Sequence, residues 1–271
     1  LWSQNPELIK NVDYLMRKGN GQADLTNSHI CVVKSTEKEH PAILLDFGKE
    51  LHGGLQIVTG MPGDHTPVRI RVRFGESASE AMCEIDGKNG ATNDHAIRDF
   101  ETTLPWLGTR EWGNSGFRFV RIDLLDDNRE LHLKEIRAIS IMRDLAYRGT
   151  FECNDERLNQ IWQTGARTVH LNMQEYLWDG IKRDRAVWFG DMNTEVETAL
   201  AVFGDTDVVR RSLEFGADTT PLPKWMNGIP SYSFWWLINM YRVYEYSGDA
   251  EFLYKYENYI KSLIMQINDY I

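Results

Sequence analysis

The spacing of apolar residues changes near residue 150, and one layer of structure cannot satisfy both patterns. Before that point the period is two. Residues 68–74 alternate apolar and basic over seven positions, the pattern of a strand with one face buried. Residues 42–47 form an apolar run closed by Gly48, and residues 54–58 end at the turn cluster 60–63. Residues 117–122 and 131–141 repeat the alternation. Short runs separated by turns predict an antiparallel β-sandwich over residues 40–148. After residue 150 the period is helical. Asn154 and Asp155 can cap a helix in which Leu158, Ile161, Trp162, Gly165 and Val169 share one stripe, running to about Tyr176. Further helices are expected over residues 192–203, 206–217, 232–246 and 250–271, making five. No cap follows Ile271, so residues 149–271 read as the opening part of an all-α domain cut short. Residues 1–39 are expected to be an extension or linker.

Composition removes several classes. Hydrophobic residues are 42% and charged ones 26%, which excludes a disordered tail or a coiled-coil rod. A net charge of −10 is the wrong sign for a generic nucleic-acid binder. No apolar run approaches the roughly 18 residues of a membrane span. Cys31, Cys83 and Cys153 have no metal-binding spacing and read as ordinary thiols. The chain begins at Leu1 rather than Met, which leaves an export signal upstream as an open alternative. There is no phosphate-binding loop, no H-E-x-x-H and no G-x-S-x-G, and no cofactor or metal is expected.

Chemistry concentrates between the first two helices. Residues 178–191 hold three carboxylates, three cations and two tryptophans, and Gly180 and Gly190 argue against a continuous helix. A loop can aim several sequence neighbours at one point, which a helix face cannot. Glycoside hydrolysis needs a proton on the leaving oxygen and charge stabilisation at the anomeric carbon. A carboxyl among other carboxylates and apolar rings is pushed to hold such a proton. Asp184 lies between Asp179 and Asp191 and close to Trp188, while Arg183 and Arg185 favour its ionised form. A surface ion-pair network that closes the loop is the competing reading.

This loop resembles the signature of the α-L-rhamnosidase family of inverting glycoside hydrolases, in Asp179, Arg183-Asp184, Trp188 and Gly190-Asp191. Residues 45–50 with Gly53-Gly54 resemble a strand of the sandwich that precedes the catalytic domain, and residues 116–120 a later one. Residues 149–151 with Asn154-Asp155 resemble the start of its (α/α)6 barrel. The resemblance implies an antiparallel β-sandwich followed by an incomplete (α/α)6 barrel, and hydrolysis of terminal α-L-rhamnosyl residues with inversion. It implies Asp184 as general acid, Asp179, Arg183 and Asp191 as sugar-binding groups, and Trp188 as an aromatic wall. A rhamnose-containing oligosaccharide or glycoside is then the expected partner, with a homodimer as the assembly to test. A related glycosidase for another sugar, and a carbohydrate-binding protein without catalysis, are the alternatives.

Two departures from the family pattern matter. The family acid is usually Glu, and an Asp carboxyl sits about 1.5 Å further back unless the loop moves in, whereas protonation needs a reach of about 2.6–3.2 Å. An inverting enzyme also needs a second carboxylate about 6.5–9.5 Å from the acid. The family takes it from late in the barrel, so it is expected beyond residue 271 and the 271 residues alone are expected to be inactive. Glu175, Glu195 and Glu197 read as solvated helix faces. A second aromatic cluster follows the Pro/Gly-rich residues 221–230. In an α/α barrel that loop shares a rim with the first, which makes Trp225, and then Trp235, candidates for further walls of the sugar site.

Overall fold

The computed structural model describes residues 1–26, 28–85, 88 and 91–271. The chain divides into two compact units, Leu1–Ile141 and Met142–Ile271.

Among the described residues the first unit is an eight-stranded antiparallel sheet. Its strands are β1 (Trp2–Gln4), β2 (Ile9–Lys10), β3 (Cys31–Lys34), β4 (Ala42–Thr59), β5 (Val68–Gly75), β6 (Asp99–Leu104), β7 (Gly108–Leu124) and β8 (Glu130–Ser140), with a short helix α1 (Ala78–Met82) after β5. The hydrogen-bonded order is β2-β3-β8-β4-β7-β5-β6, with β1 beside β4. Residues 1–39, expected as an extension, therefore supply three strands. Their short apolar runs carry too little period to announce them.

The runs at 42–47 and 54–58 are one strand of 18 residues, not two. Its first part pairs with β1 and with residues 119–123, and its second with residues 108–117 and with β8. The register breaks between Asp46 and Leu51. There the Asp46 carboxylate accepts from the Gly48 amide at 2.7 Å and takes two bonds from the Arg118 guanidinium, at 2.7 and 2.8 Å. The strand bends without ending, because the side chain replaces the missing ladder bonds. Gly54 is needed where β4 and β7 close up, since a Cβ there would lie 2.4 Å from the Trp112 carbonyl oxygen. The alternating residues Ile70, Val72 and Phe74 of β5 join Leu55, Ile57 and Phe117 in the core of this unit.

The second unit contains, among the described residues, six α-helices: α2 (Glu156–Asn172), α3 (Met192–Phe203), α4 (Asp207–Thr219), α5 (Pro230–Ser247), α6 (Ala250–Lys255) and α7 (Glu257–Tyr270). Asp155 caps α2, its carboxylate accepting from the Arg157 amide at 2.9 Å. Helix α2 stops at Asn172 rather than near Tyr176, because the Asn172 carbonyl turns to accept the amides of Gln174 and Trp178, at 2.9 and 3.0 Å. The last expected helix is two, broken at Tyr256, whose side chain is buried in the core. Helices α3 and α5 pack against each other, and α2 and α4 flank them. Trp236 lies fully buried at the centre and donates its indole N–H to the Leu213 carbonyl at 2.8 Å. Among the described residues no helix is long and apolar enough to cross a membrane.

Candidate active site

Apolar anchors hold the α2–α3 loop down. Leu177, Ile181, Val187 and Phe189 are buried, and Met192 then starts α3 inside the core. The Leu177 amide donates to the buried Ser212 hydroxyl at 2.8 Å. The residues between the anchors carry the charges; Arg183 and Asp191 are exposed, while Asp179, Lys182, Asp184 and Arg185 are half-buried. Asp179 closes the loop on itself. Its amide donates to the Ala186 carbonyl and its carboxylate accepts from the Ala186 amide, both at 3.0 Å. At the tip the Arg185 amide donates to the Arg183 carbonyl at 2.7 Å, and Asp184 and Arg185 are both left-handed, with φ of 54° and 53°. Two successive non-glycine residues in that region cost of order 1–2 kcal/mol each. The rung at Asp179–Ala186 holds them there. Arg183 is 76% exposed and stands with its Nε 3.7 Å from an Asp184 oxygen, whereas the Asp184 side chain is only 20% exposed.

The acidic groups feel one another. Burial raises the Asp179 carboxyl above the usual aspartate range; the Ala186 amide opposes this, and the charges of Asp184 and Asp191 add to it. Burial also pushes Glu195 up to about 8, against the bond from Asn172 and with the charges of Asp179 and Asp191. Glu195 was expected on a solvated face and is instead buried at 8% exposure. The signal was present in the sequence: Glu195 lies on the stripe Met192, Val196, Ala199, which points into the core. Glu175 and Glu197 do lie at the surface, where they pair with Arg211 and Arg242.

A second loop, residues 220–229, is fastened to the first. The Asn227 carboxamide accepts from the Phe189 amide at 3.1 Å and donates to the Val187 carbonyl at 3.0 Å, as a strand neighbour would. Tyr232, in the first turn of α5, donates its hydroxyl to Asp191 at 3.5 Å and meets the Trp188 ring edge-on at 6.0 Å. Its ring lies so close to Gly190 that a Cβ there would fall 2.0 Å from it. Asp191 makes no side-chain capping bond to α3. Both loops thus lead into helix N-termini, those of α3 and α5, and are joined on that side. Asn227 and Tyr232 carried no signal of this, since their partners lie about forty residues away.

The aromatic candidates divide. Trp188 sits within this junction beside Tyr232. Trp225 packs edge-on against Phe234 and Tyr270, at 6.3 and 5.2 Å, and so engages α5 and α7. Trp235 is 37% exposed on α5, while its neighbour Trp236 is core. Among the described residues no group of three His, Cys, Asp or Glu side chains could hold a metal ion.

Residues 146–270 match the sequence model of the bacterial α-L-rhamnosidase six-hairpin glycosidase domain. The chain is similar in fold to the GH78 family rhamnosidase of Bacillus sp. GL1, with a TM-score of 0.74 and 22% identity over 94% of its length. It is also similar to a rhamnosidase from Klebsiella oxytoca solved with rhamnose bound, with a TM-score of 0.73 and 20% identity over 86%. The chain spans 26% and 49% of those two proteins' lengths. No curated protein matches it in sequence.

Proposed function

We propose that the whole protein hydrolyses terminal α-L-rhamnosyl residues with inversion, a reading supported by the match of residues 146–270 to the bacterial α-L-rhamnosidase six-hairpin glycosidase domain. In this reading Asp184 protonates the leaving oxygen. Asp179, Asp191 and Arg183 hold the sugar hydroxyls, and Trp188 packs on the rhamnose methyl and ring CH groups. Trp235, and Trp225 at the next loop, would extend the wall. The sheet of the first unit is then a β-sandwich, with β4 and β7 bending from one layer to the other. The helices are the first part of an (α/α)6 barrel, with α3 and α5 inside and α2 and α4 outside.

One observation carries the reading: a closed loop in the matched domain holds three aspartates near enough that the charges of Asp184 and Asp191 both act on Asp179. That field stabilises positive charge developing at an anomeric carbon. We assign to the left-handed tip at Asp184 the backbone adjustment that a carboxyl one methylene shorter than Glu requires. The water-activating carboxylate of an inverting reaction is assigned to no residue of this chain.

The test uses the full-length protein and 4-nitrophenyl α-L-rhamnopyranoside. The first-formed sugar, followed by NMR, is expected to be β-L-rhamnose. Asp184→Asn should lower turnover by about 10²–10⁴-fold while L-rhamnose still binds. Unchanged turnover in that variant overturns the assignment of Asp184. Wild-type protein that binds rhamnose and never cleaves a rhamnoside supports a binding protein instead.

A further inference from the structure

Glu195 is a buried titratable group that the proposed chemistry does not use. Its neighbours on the α3 stripe, Met192, Val196 and Ala199, are fully buried. A carboxyl in such a place needs a partner and a reason. The partner is Asn172 at the end of α2, whose carboxamide N–H donates to a Glu195 oxygen at 3.2 Å in a buried bond. Asn172 in turn carries the start of the acidic loop: its backbone carbonyl accepts both the Gln174 and Trp178 amides. Trp178 immediately precedes Asp179, whose two bonds to Ala186 close the loop. A short chain of contacts therefore runs from Glu195 through Asn172 and Trp178 to the rung that sets Asp179.

We infer that Glu195 is a positioning residue of the sugar site, which as a neutral carboxyl fixes Asn172 and through it the first residues of the acidic loop. The inference rests on the reading of that loop as a rhamnose site. Of the groups acting on Glu195, Asp179 from the loop and Asp191 from the start of α3 favour the neutral form, while the bond donated by the uncharged Asn172 of α2 opposes them. Burial is the main cause, and the two negative charges add to it, so the proton stays on until about pH 8. Ionisation would place another anion within reach of Asp179 and Asp191, and their repulsion would loosen the rung at Ala186. Sugar binding then has an alkaline limit set by a group that never touches the sugar.

The experiment measures L-rhamnose affinity of the full-length protein from pH 6 to 9.5, for wild type and Glu195→Gln. Gln keeps the acceptor for Asn172 and cannot ionise. Wild-type affinity should fall several-fold with a midpoint near pH 8, and the variant should hold its affinity across that range. The same alkaline fall in both proteins overturns the inference. Should neither protein bind rhamnose at any pH, the sugar reading fails, and the positioning role is judged by hydrogen exchange at the Asp179 and Ala186 amides, corrected for intrinsic pH dependence. Wild type should lose protection there near pH 8 while Glu195→Gln keeps it; matching profiles overturn the role. Asn172→Ala should lose that protection already at pH 7. Wild-type protection in that variant refutes the route through Asn172.

Discussion

Replacing Asn227 separates the two contributions that join the loops. The wild-type carboxamide makes one bond to the Phe189 amide and one to the Val187 carbonyl, at 3.1 and 3.0 Å. Each is worth about 1 kcal/mol net, and a buried amide left without a partner costs about 1–3 kcal/mol. Asn227 also sits at φ 52°, which asparagine tolerates and alanine does not. Asn227→Gly removes the bonds without the strain, so the local cost should be about 2–3 kcal/mol. Asn227→Ala adds about 1–2 kcal/mol for the left-handed backbone. Asn227→Asp keeps the acceptor for Phe189 but sets a carboxylate oxygen against the Val187 carbonyl, and should fall near the glycine variant. Amide hydrogen exchange at Phe189 reads these differences directly, since each 1.36 kcal/mol is tenfold. The glycine variant should exchange about 30–150-fold faster than wild type, and alanine about tenfold faster again. Core amides of the first unit, such as Val120, should not change. Phe189 exchange within about threefold of wild type in Asn227→Gly, or alanine no worse than glycine, would refute the reasoning.

Other positions give sharp expectations. Gly190→Ala would drive a methyl into the Tyr232 ring, 2.0 Å away; overpacking of this kind costs about 1–3 kcal/mol, and Tyr232→Ala in the same chain should recover part of it in denaturant melts. Glu195 makes stability depend on pH with a definite sign. Its carboxyl lies near 8 when folded against 4.5 in the free state, so the folded protein holds the extra proton. The stability this confers is full below about pH 4.5, falls as pH rises, and is gone above about pH 8. The 3.5-unit separation corresponds to about 5 kcal/mol. The stability difference between Glu195→Gln and wild type, measured by urea melts from pH 4 to 9, should grow by an amount of this order. A flat difference would show that Glu195 ionises normally.

Where the period is strong, contiguous residues settled the kind of element and its approximate place, though not for the three short strands of residues 1–39. A period of two over 68–74 makes β5, and apolar residues three and four apart make α2, because both patterns follow from backbone geometry alone. The loop at 178–191 was equally legible, since Gly180, Gly190 and dense charge break any helical stripe. Chain neighbours could not show that 42–59 is one bent strand, since the Arg118 side chain that braces the bend is 72 residues away. Nor could they show that Glu195 is buried beside Asn172, or that Asn227 and Tyr232 fasten a second loop to the first. A side chain's protonation and its hydrogen bonds depend on what surrounds it in space, and for these residues the surroundings arrive from helices α2, α3 and α5 only when the chain has packed.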